Sequence, residues 1–187
     1  MAELHHPDPP LTDGVVLLRA VRESDVPAIV EACQDPDIKR FTSSIPDPYS
    51  EDDARRWLAT HAEDMTHGVE INFAIVRADD EPALLGVTGL HDIDWKSRRA
   101  ATGYWIAPWA RGHGYAARAT RLVSRWALDA LGLVRVQLIA DVENRASLRT
   151  AEHAGFEREG VLRRHTVMGG ASRDCAIYAV VAPARDS

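Results

Sequence analysis

The run Arg111-Gly112-His113-Gly114-Tyr115-Ala116 is the part of the chain whose residue types and spacing best suit chemistry. It follows a strand-like segment, Ala101 to Ala107, through Pro108-Trp109-Ala110, and leads into a long segment with helical periodicity. Glycines let the backbone curl with its amides pointing inward, and a helix start adds unpaired N–H groups and the positive end of a dipole. Such a junction suits a pyrophosphate, with Arg111 adding charge at the rim and Gly114 permitting close backbone approach. The expectation is an anion cradle.

The same letters match G-x-G-x-x-A from Gly112 to Ala117, a dinucleotide fingerprint, and Asp141 stands at the end of the next strand. That rival, a dinucleotide-binding protein, fails on context. The fingerprint wants its first glycine hard against the strand, whereas Pro108 to Arg111 intervene. It should also open a βαβ unit near a domain's start, and a meander precedes it instead.

The elements around the cradle read as follows. Val15 to Ala20 is a β-branched and apolar run, so a strand. Ser24 offers an N-cap to a helix reaching Gln34, and Asp35 to Ser50, with three prolines, reads as an ordered loop. Ser50 with Asp53 resembles a capping box opening a second helix. Val69 to Arg77, Leu84 to Ile93 and Ala101 to Ala107 are joined by short links, which favour an antiparallel meander. Gly114 to Leu131 carries an i, i+3, i+4, i+7 apolar stripe, and Gly132 ends it. Val134 to Asp141 is almost wholly apolar, as a central strand is. A helix from Ala146 to His153 closes at Gly155, and Phe156 to Thr166 with Arg173 to Val181 form a hairpin around Gly169-Gly170.

At 187 residues the chain has room for one core: a single domain over 15–182, with a flexible leader at 1–14 and a tail at 183–187. The net charge of −6 argues against a duplex-DNA partner. Cys33 and Cys175 form no pairing pattern, the histidines show no zinc-like spacing, and no apolar run approaches a membrane span. These features imply a soluble, cytoplasmic protein with no metal, no nucleic acid and no membrane partner.

Arg111-x-x-Gly114-x-Ala116 resembles the R/Q-x-x-G-x-G/A motif of the GNAT acetyltransferase superfamily. Gly103-Tyr104-Trp105-Ile106-Ala107-Pro108 is similar to its fourth strand, and Asn144-x-x-Ser147 followed by Gly155-Phe156 to its later signature. The wording is nearest the subgroup containing ribosomal-protein N-terminal acetyltransferases. The resemblance implies an α+β fold: a mostly antiparallel twisted sheet of about seven strands, flanked by four helices and splayed between strands four and five. It implies transfer of an acetyl group from acetyl-CoA to a primary amine, by direct attack in a ternary complex. The amine would be a protein N-terminus or a small molecule, and a homodimer is compatible with the family. A non-catalytic acyl-CoA-binding protein on the same fold is the alternative.

By the same resemblance, backbone groups of Ile106 and Ala107 would bond the pantetheine arm. Amides of Gly112, His113, Gly114, Tyr115 and Ala116, with Arg111, would hold the pyrophosphate. Asn144 would bind the pantetheine amide, and Arg149 would approach the adenosine phosphate end. The family's usual tyrosine is replaced by Ala151; the subgroup instead places a serine earlier in the helix, and Ser147 matches it as proton donor or thiolate partner. Ala101 stands where relatives carry a glutamate, so the base is sought among His91 and Asp92, with Glu70 and His165 as further candidates. At pH 7 a lysine-like amine costs about 4–5 kcal/mol to deprotonate and an α-amine about 1 kcal/mol, so weak base machinery favours an α-amine.

Overall fold

The computed structural model describes residues 4–42 and 45–183. Its strands are β1 (Leu11–Thr12), β2 (Val16–Ala20), β3 (Ile71–Arg77), β4 (Asp80–Asp94), β5 (Arg99–Ile106), β6 (Arg135–Asp141), β7 (Glu157–Met168) and β8 (Ala171–Val181). Its helices are α1 (Val26–Cys33), α2 (Pro36–Phe41), α3 (Glu51–Thr66), α4 (Tyr115–Asp129) and α5 (Arg145–Ala154). The strands make one sheet in the order β1-β2-β3-β4-β5-β6-β8-β7, antiparallel throughout except for β5 beside β6.

Both faces of the sheet are covered, which explains the apolar runs. On β3, Ile71, Phe73 and Ile75 join Leu90 under Val123 and Ala127 of α4. Ala74 and Val76 point the other way and meet Val26 and Ile29 of α1 and Ala54 of α3. Successive strand residues face opposite sides, so each strand serves two cores. α3 begins at the expected capping box: Ser50 Oγ accepts from Asp53 N at 3.2 Å, and Asp53 Oδ2 accepts from Ser50 N at 2.8 Å. None of the described helices is long and apolar enough to cross a membrane.

The mixed α+β fold with its splayed sheet is present, and two short elements exceed the expected seven strands and four helices. One is β1, paired with β2 across a turn in which Asp13 Oδ1 accepts from Val15 N and Val16 N, each at 3.0 Å. The other is α2, inside the segment read as loop. Pro36 occupies its first turn, where no N–H is needed, and Asp35 Oδ1 caps it by accepting from Asp37 N and Ile38 N. The segment expected to be a flexible leader packs against the domain over its described part. Leu4 is 2% exposed, and His6 Nε2 lies 2.9 Å from Asn72 O with its ring edge-on to Phe73. Residues 1–3 of that leader and 184–187 of the expected tail lie outside the described residues.

Ser24 does not cap the first helix, because a 3-10 turn, Glu23–Asp25, precedes it. Asp25 does the local work instead: it accepts from Arg22 N at 2.8 Å and holds Arg19 through two bonds of 2.8 Å. Arg19 and Asp25 are 4% and 3% exposed, so each charge depends on the other. Asp25→Ala leaves the guanidinium buried without its carboxylate and should cost about 3–5 kcal/mol of unfolding free energy, measured by urea denaturation. A loss below about 1 kcal/mol would mean that Glu81 or water takes over the charge.

Candidate active site

The site begins where the sheet opens. β5 and β6 pair only from Arg99↔Arg135 to Ala101↔Gln137, after which β5 stays with β4 and β6 stays with β8. Gly86 faces Ile106 across β4 and β5, and Ala107 N donates to Leu85 O at 2.8 Å. Antiparallel alternation therefore turns the N–H and C=O of Ile106, and of Tyr104 two residues earlier, toward the opened side. These are backbone groups that a ligand or water must satisfy. Ala107 does not share this role. Its N–H goes to Leu85, its carbonyl accepts from Ala110 N at 2.9 Å, and it is fully buried. The expectation that it offers free polar groups fails because the strand's last pairing with β4 reaches it.

A cleft of about 1100 Å³ runs through the opening and is lined by Ile106, Arg111, Gly112, Gly114, Tyr115, Ala116, Asn144, Ser147 and Arg149 among others. At one end lies the N-terminus of α4. Its N-cap is Gly114, at φ +75°, and no side chain caps it. The first intrahelical bond there is Arg118 N to Gly114 O at 3.2 Å, so the preceding amides are left for a ligand. Gly112, at φ +83°, makes the curl before it. His113 stacks on Tyr115 with ring centroids 5.3 Å apart and lies outside the cleft lining. An unpaired strand edge followed by an uncapped helix N-terminus fits a ligand with an amide-bearing arm and a diphosphate.

Arg111 is not a bare cation at this rim. Its Nη2 donates to Asp35 Oδ1 at 2.6 Å, and its Nη1 to Asp37 Oδ2 at 3.4 Å. Although burial pushes the Asp35 carboxyl upward, the Arg111 bond and the amides of α2 outweigh it and hold the carboxyl below its ordinary range. α2 is thus tied to the cradle, a link that sequence spacing does not reveal.

Across the opening stands α5. Asn144 caps it, its Oδ1 accepting from Ser147 N at 3.1 Å, so Nδ2 is the group Asn144 can offer a ligand. Ser147 is therefore not the cap; its hydroxyl is free of that duty and accepts from the Tyr104 hydroxyl at 3.1 Å. Burial raises the Tyr104 pKa, outweighing its side-chain bonds to Ser147 and Thr150, and keeps the phenol neutral. The sequence gives Tyr104 no role of its own, though it stands in the Gly103-Tyr104 pair of the fourth-strand signature. Its alternation on β5 was the available signal. Arg149 is exposed beside the cleft.

His91 and Asp92 are adjacent on β4, and adjacent strand residues normally face opposite sides. Here a break in the β4–β5 register between His91 and Asp94, with Asp92 at φ +51°, turns the carboxylate back. Asp92 Oδ2 lies 3.0 Å from His91 Nδ1. His91 Nε2 is directed over Gly103, 3.5 Å from where a Cβ would stand. His91 lines the cleft and Asp92 does not, so the carboxylate acts through the ring. His165 also lines the cleft, with Thr166. Glu70 does not. It accepts from Asn72 Nδ2 at 2.8 Å, lies 3.3 Å from His61 Nδ1, and shares a cluster with Asp64. Asn72 Nδ2, 3.1 Å from His61 Nδ1, stands among these ligand-type atoms, so the cluster supports Asn72 by hydrogen bonds.

A second cavity, of about 460 Å³, lies on the α1–α3 side of the sheet. It shares Thr42, Gly103, Tyr104 and Trp105 with the cleft, so the two meet at β5. Asn72 lies across Gly89 from Gly103, and a Cβ on Gly89 would stand 2.5 Å from Asn72 Oδ1. Only glycine leaves room there.

Residues 16–157 match the family profile described as Acetyltransferase (GNAT) domain. The chain is a GNAT acetyltransferase. An uncharacterized N-acetyltransferase of Bacillus subtilis, YoaA, is 30% identical over 175 residues, covering 94% of this chain and 98% of that protein. Mycobacterium smegmatis RimJ in complex with CoA-disulfide is similar with a TM-score of 0.82 and 25% identity, covering 92% of this chain and 86% of that one. Vibrio cholerae spermidine N-acetyltransferase, solved with CoA and spermine, has a TM-score of 0.76 at 24% identity, covering 90% and 96%. A putative ribosomal N-acetyltransferase of Bacillus subtilis, YdaF, is 30% identical over 138 residues, covering 74% of this chain and 72% of that protein, so the expected subgroup is among the homologues of this acyltransferase.

In this GNAT acetyltransferase the lowered Asp35 carboxyl has a consequence for acid stability. A depressed folded-state pKa adds stability above the unfolded-state value, and that stability is lost as pH falls through the folded-state value. Asp35→Asn should be less stable than the parent at pH 7, and the difference should shrink as pH drops from about 5 toward 2 in thermal unfolding scans. A difference that stays constant with pH would detach the Arg111 link from stability.

Proposed function

We propose that this chain transfers an acetyl group from acetyl-CoA to an α-amine or another amine of low pKa, with both substrates bound together. The observation that carries this reading is the meeting of two chambers at Gly103–Trp105, one reaching an uncapped helix N-terminus and the other walled by apolar and aromatic side chains such as Ile29, Tyr49 and Trp57. The first suits the CoA arm and its diphosphate, the second an amine. Two relatives support it: both were solved with CoA or its disulfide, and one with spermine.

Acetyl-CoA, when bound, supplies a thioester whose carbonyl carbon accepts the amine and whose sulfur departs. Free backbone groups of Ile106 and Tyr104 hold the arm, and the amides from Gly112 to Ala116 hold the diphosphate. Asn144 Nδ2 bonds the pantetheine amide and Arg149 approaches the adenosine phosphate end. His91 takes the amine proton at Nε2, with Asp92 holding Nδ1 and so fixing which nitrogen is open. A thiol has a pKa near 8.5, about 7 units below water, so its departure needs one good donor rather than a strong acid. Ser147 Oγ is that donor. Tyr104, kept neutral, occupies a lone pair of Ser147 Oγ and directs its proton outward.

Thiol release from acetyl-CoA with amino-acid amides as acceptors tests this assignment. His91→Ala should lower kcat by about 100-fold or more. Ser147→Ala should lower kcat by about 10–100-fold, the worth of one bond to a charged sulfur, and Tyr104→Phe by less. Calorimetric CoA binding should survive in all three. CoA binding with no turnover on any amine would instead mark a non-catalytic acyl-CoA-binding protein.

A further inference from the structure

The second cavity has walls unlike those a polycation would need. Ile29, Cys33 and Tyr49 are all but buried, and Trp57 and Trp105 complete an apolar and aromatic enclosure. Its volume, about 460 Å³, lies in the lower half of the roughly 300–1,000 Å³ that small-ligand pockets span. Asp53 is the one carboxylate among the described lining residues. That carboxylate is already used: Oδ2 accepts from Ser50 N and from Ser50 Oγ, and Oδ1 is paired with Arg56. Burial pushes the Cys33 thiol up to about 11 and the Tyr49 hydroxyl up to about 12, so neither carries negative charge at neutral pH. Arg56 adds a cation to the same wall.

A polyamine entering here could present one neutral amine for reaction, but its remaining ammonium groups would lose water with no open carboxylate to receive them. An α-amine beside a large apolar side chain has the opposite fit. Its one cation is deprotonated at low cost, and its side chain leaves water for the aromatic walls. We infer, resting on the acetyltransferase reading above, that the acceptor carries its α-amine next to a bulky apolar or aromatic side chain, which this cavity receives, and that polyamines are rejected. The acceptor side chain lies between Trp57 and Trp105, and its amine reaches Gly103 beside His91 Nε2.

The test compares phenylalaninamide, alaninamide and spermidine as acceptors for the intact protein, by thiol release and by calorimetric titration of the CoA-loaded form. Phenylalaninamide should exceed alaninamide in kcat/KM by about 10-fold or more, the discrimination an apolar pocket supplies, and exceed spermidine by more. Trp57→Ala should collapse the preference for phenylalaninamide over alaninamide to within about threefold. Trp57→Glu, which puts an open carboxylate on the same wall, should raise spermidine turnover. Spermidine equal to or better than phenylalaninamide in the parent overturns the inference. So does a preference that survives Trp57→Ala in folded protein. If no amine releases thiol, the titrations still decide: tighter binding of phenylalaninamide than of spermidine upholds the cavity assignment and sinks only the transferase reading, and the reverse order overturns the assignment.

Discussion

The parting of β5 from β6 is the constraint on which the site depends. Each strand is held by its outer neighbour, β5 by β4 as far as Gly86↔Ile106 and β6 by β8 as far as Asp141↔Cys175. Between them only three residue pairs are made, so beyond Ala101 the middle of the sheet has two inner edges with unpaired peptide groups. Unmet peptide groups are costly away from water, so the gap can persist only where solvent or a ligand reaches it. The same divergence brings the strand ends to different helices, β5 to α4 and β6 to α5. Cradle and hydroxyl pair thus stand on opposite lips of one opening.

α2 crosses between those lips. On the α4 side Asp35 and Asp37 receive Arg111, and on the α5 side Arg40 donates to Glu143 at 2.9 Å, which also receives Arg173. Exposed pairs of this kind contribute about 0–1 kcal/mol each, so they orient the helix more than they secure it. The firmer term is Asp35, which caps α2 and binds Arg111 with the same oxygen. The residues after α2, Thr42, Ile45 and Pro46, line the second cavity. The cradle and the wall of the second cavity are consequently joined through one short helix.

Much of this was legible in the residues. The cradle, the meander, the long amphipathic helix and the buried strand Val134 to Asp141 all follow from local patterns, namely glycine placement and hydrophobic period. What escaped was set by tertiary pairing. Prolines in Asp35 to Ser50 suggested a loop because Pro36 breaks helices in their interior, and its position in the first turn could be judged only with Asp35 seen as a cap. Free backbone groups at Ala107 are a natural expectation, because the end of its ladder with Leu85 cannot be read from composition. The apposition of Asp92 and His91 needed a positive φ that strand alternation argues against.

The hydroxyl pair shows how the packing of α5 decides which side chain stands at the cleft. Ser147 and Ala151 are one helical turn apart on the same face of α5. Ala151 is fully buried in the core shared with α4, so a phenol there would have to displace packed side chains before reaching the cleft. Ser147, one turn nearer the helix start, is half-buried at the edge of the opening. A serine reaches less far than a tyrosine, and the missing reach is met from the facing strand, where Tyr104 extends its hydroxyl to Ser147 Oγ. The burial that raises the Tyr104 pKa keeps it a donor to Ser147 Oγ, which leaves the serine's own proton for another partner. A small residue at 151 and a tyrosine at 104 are therefore two halves of one arrangement, set by how closely α5 packs on α4.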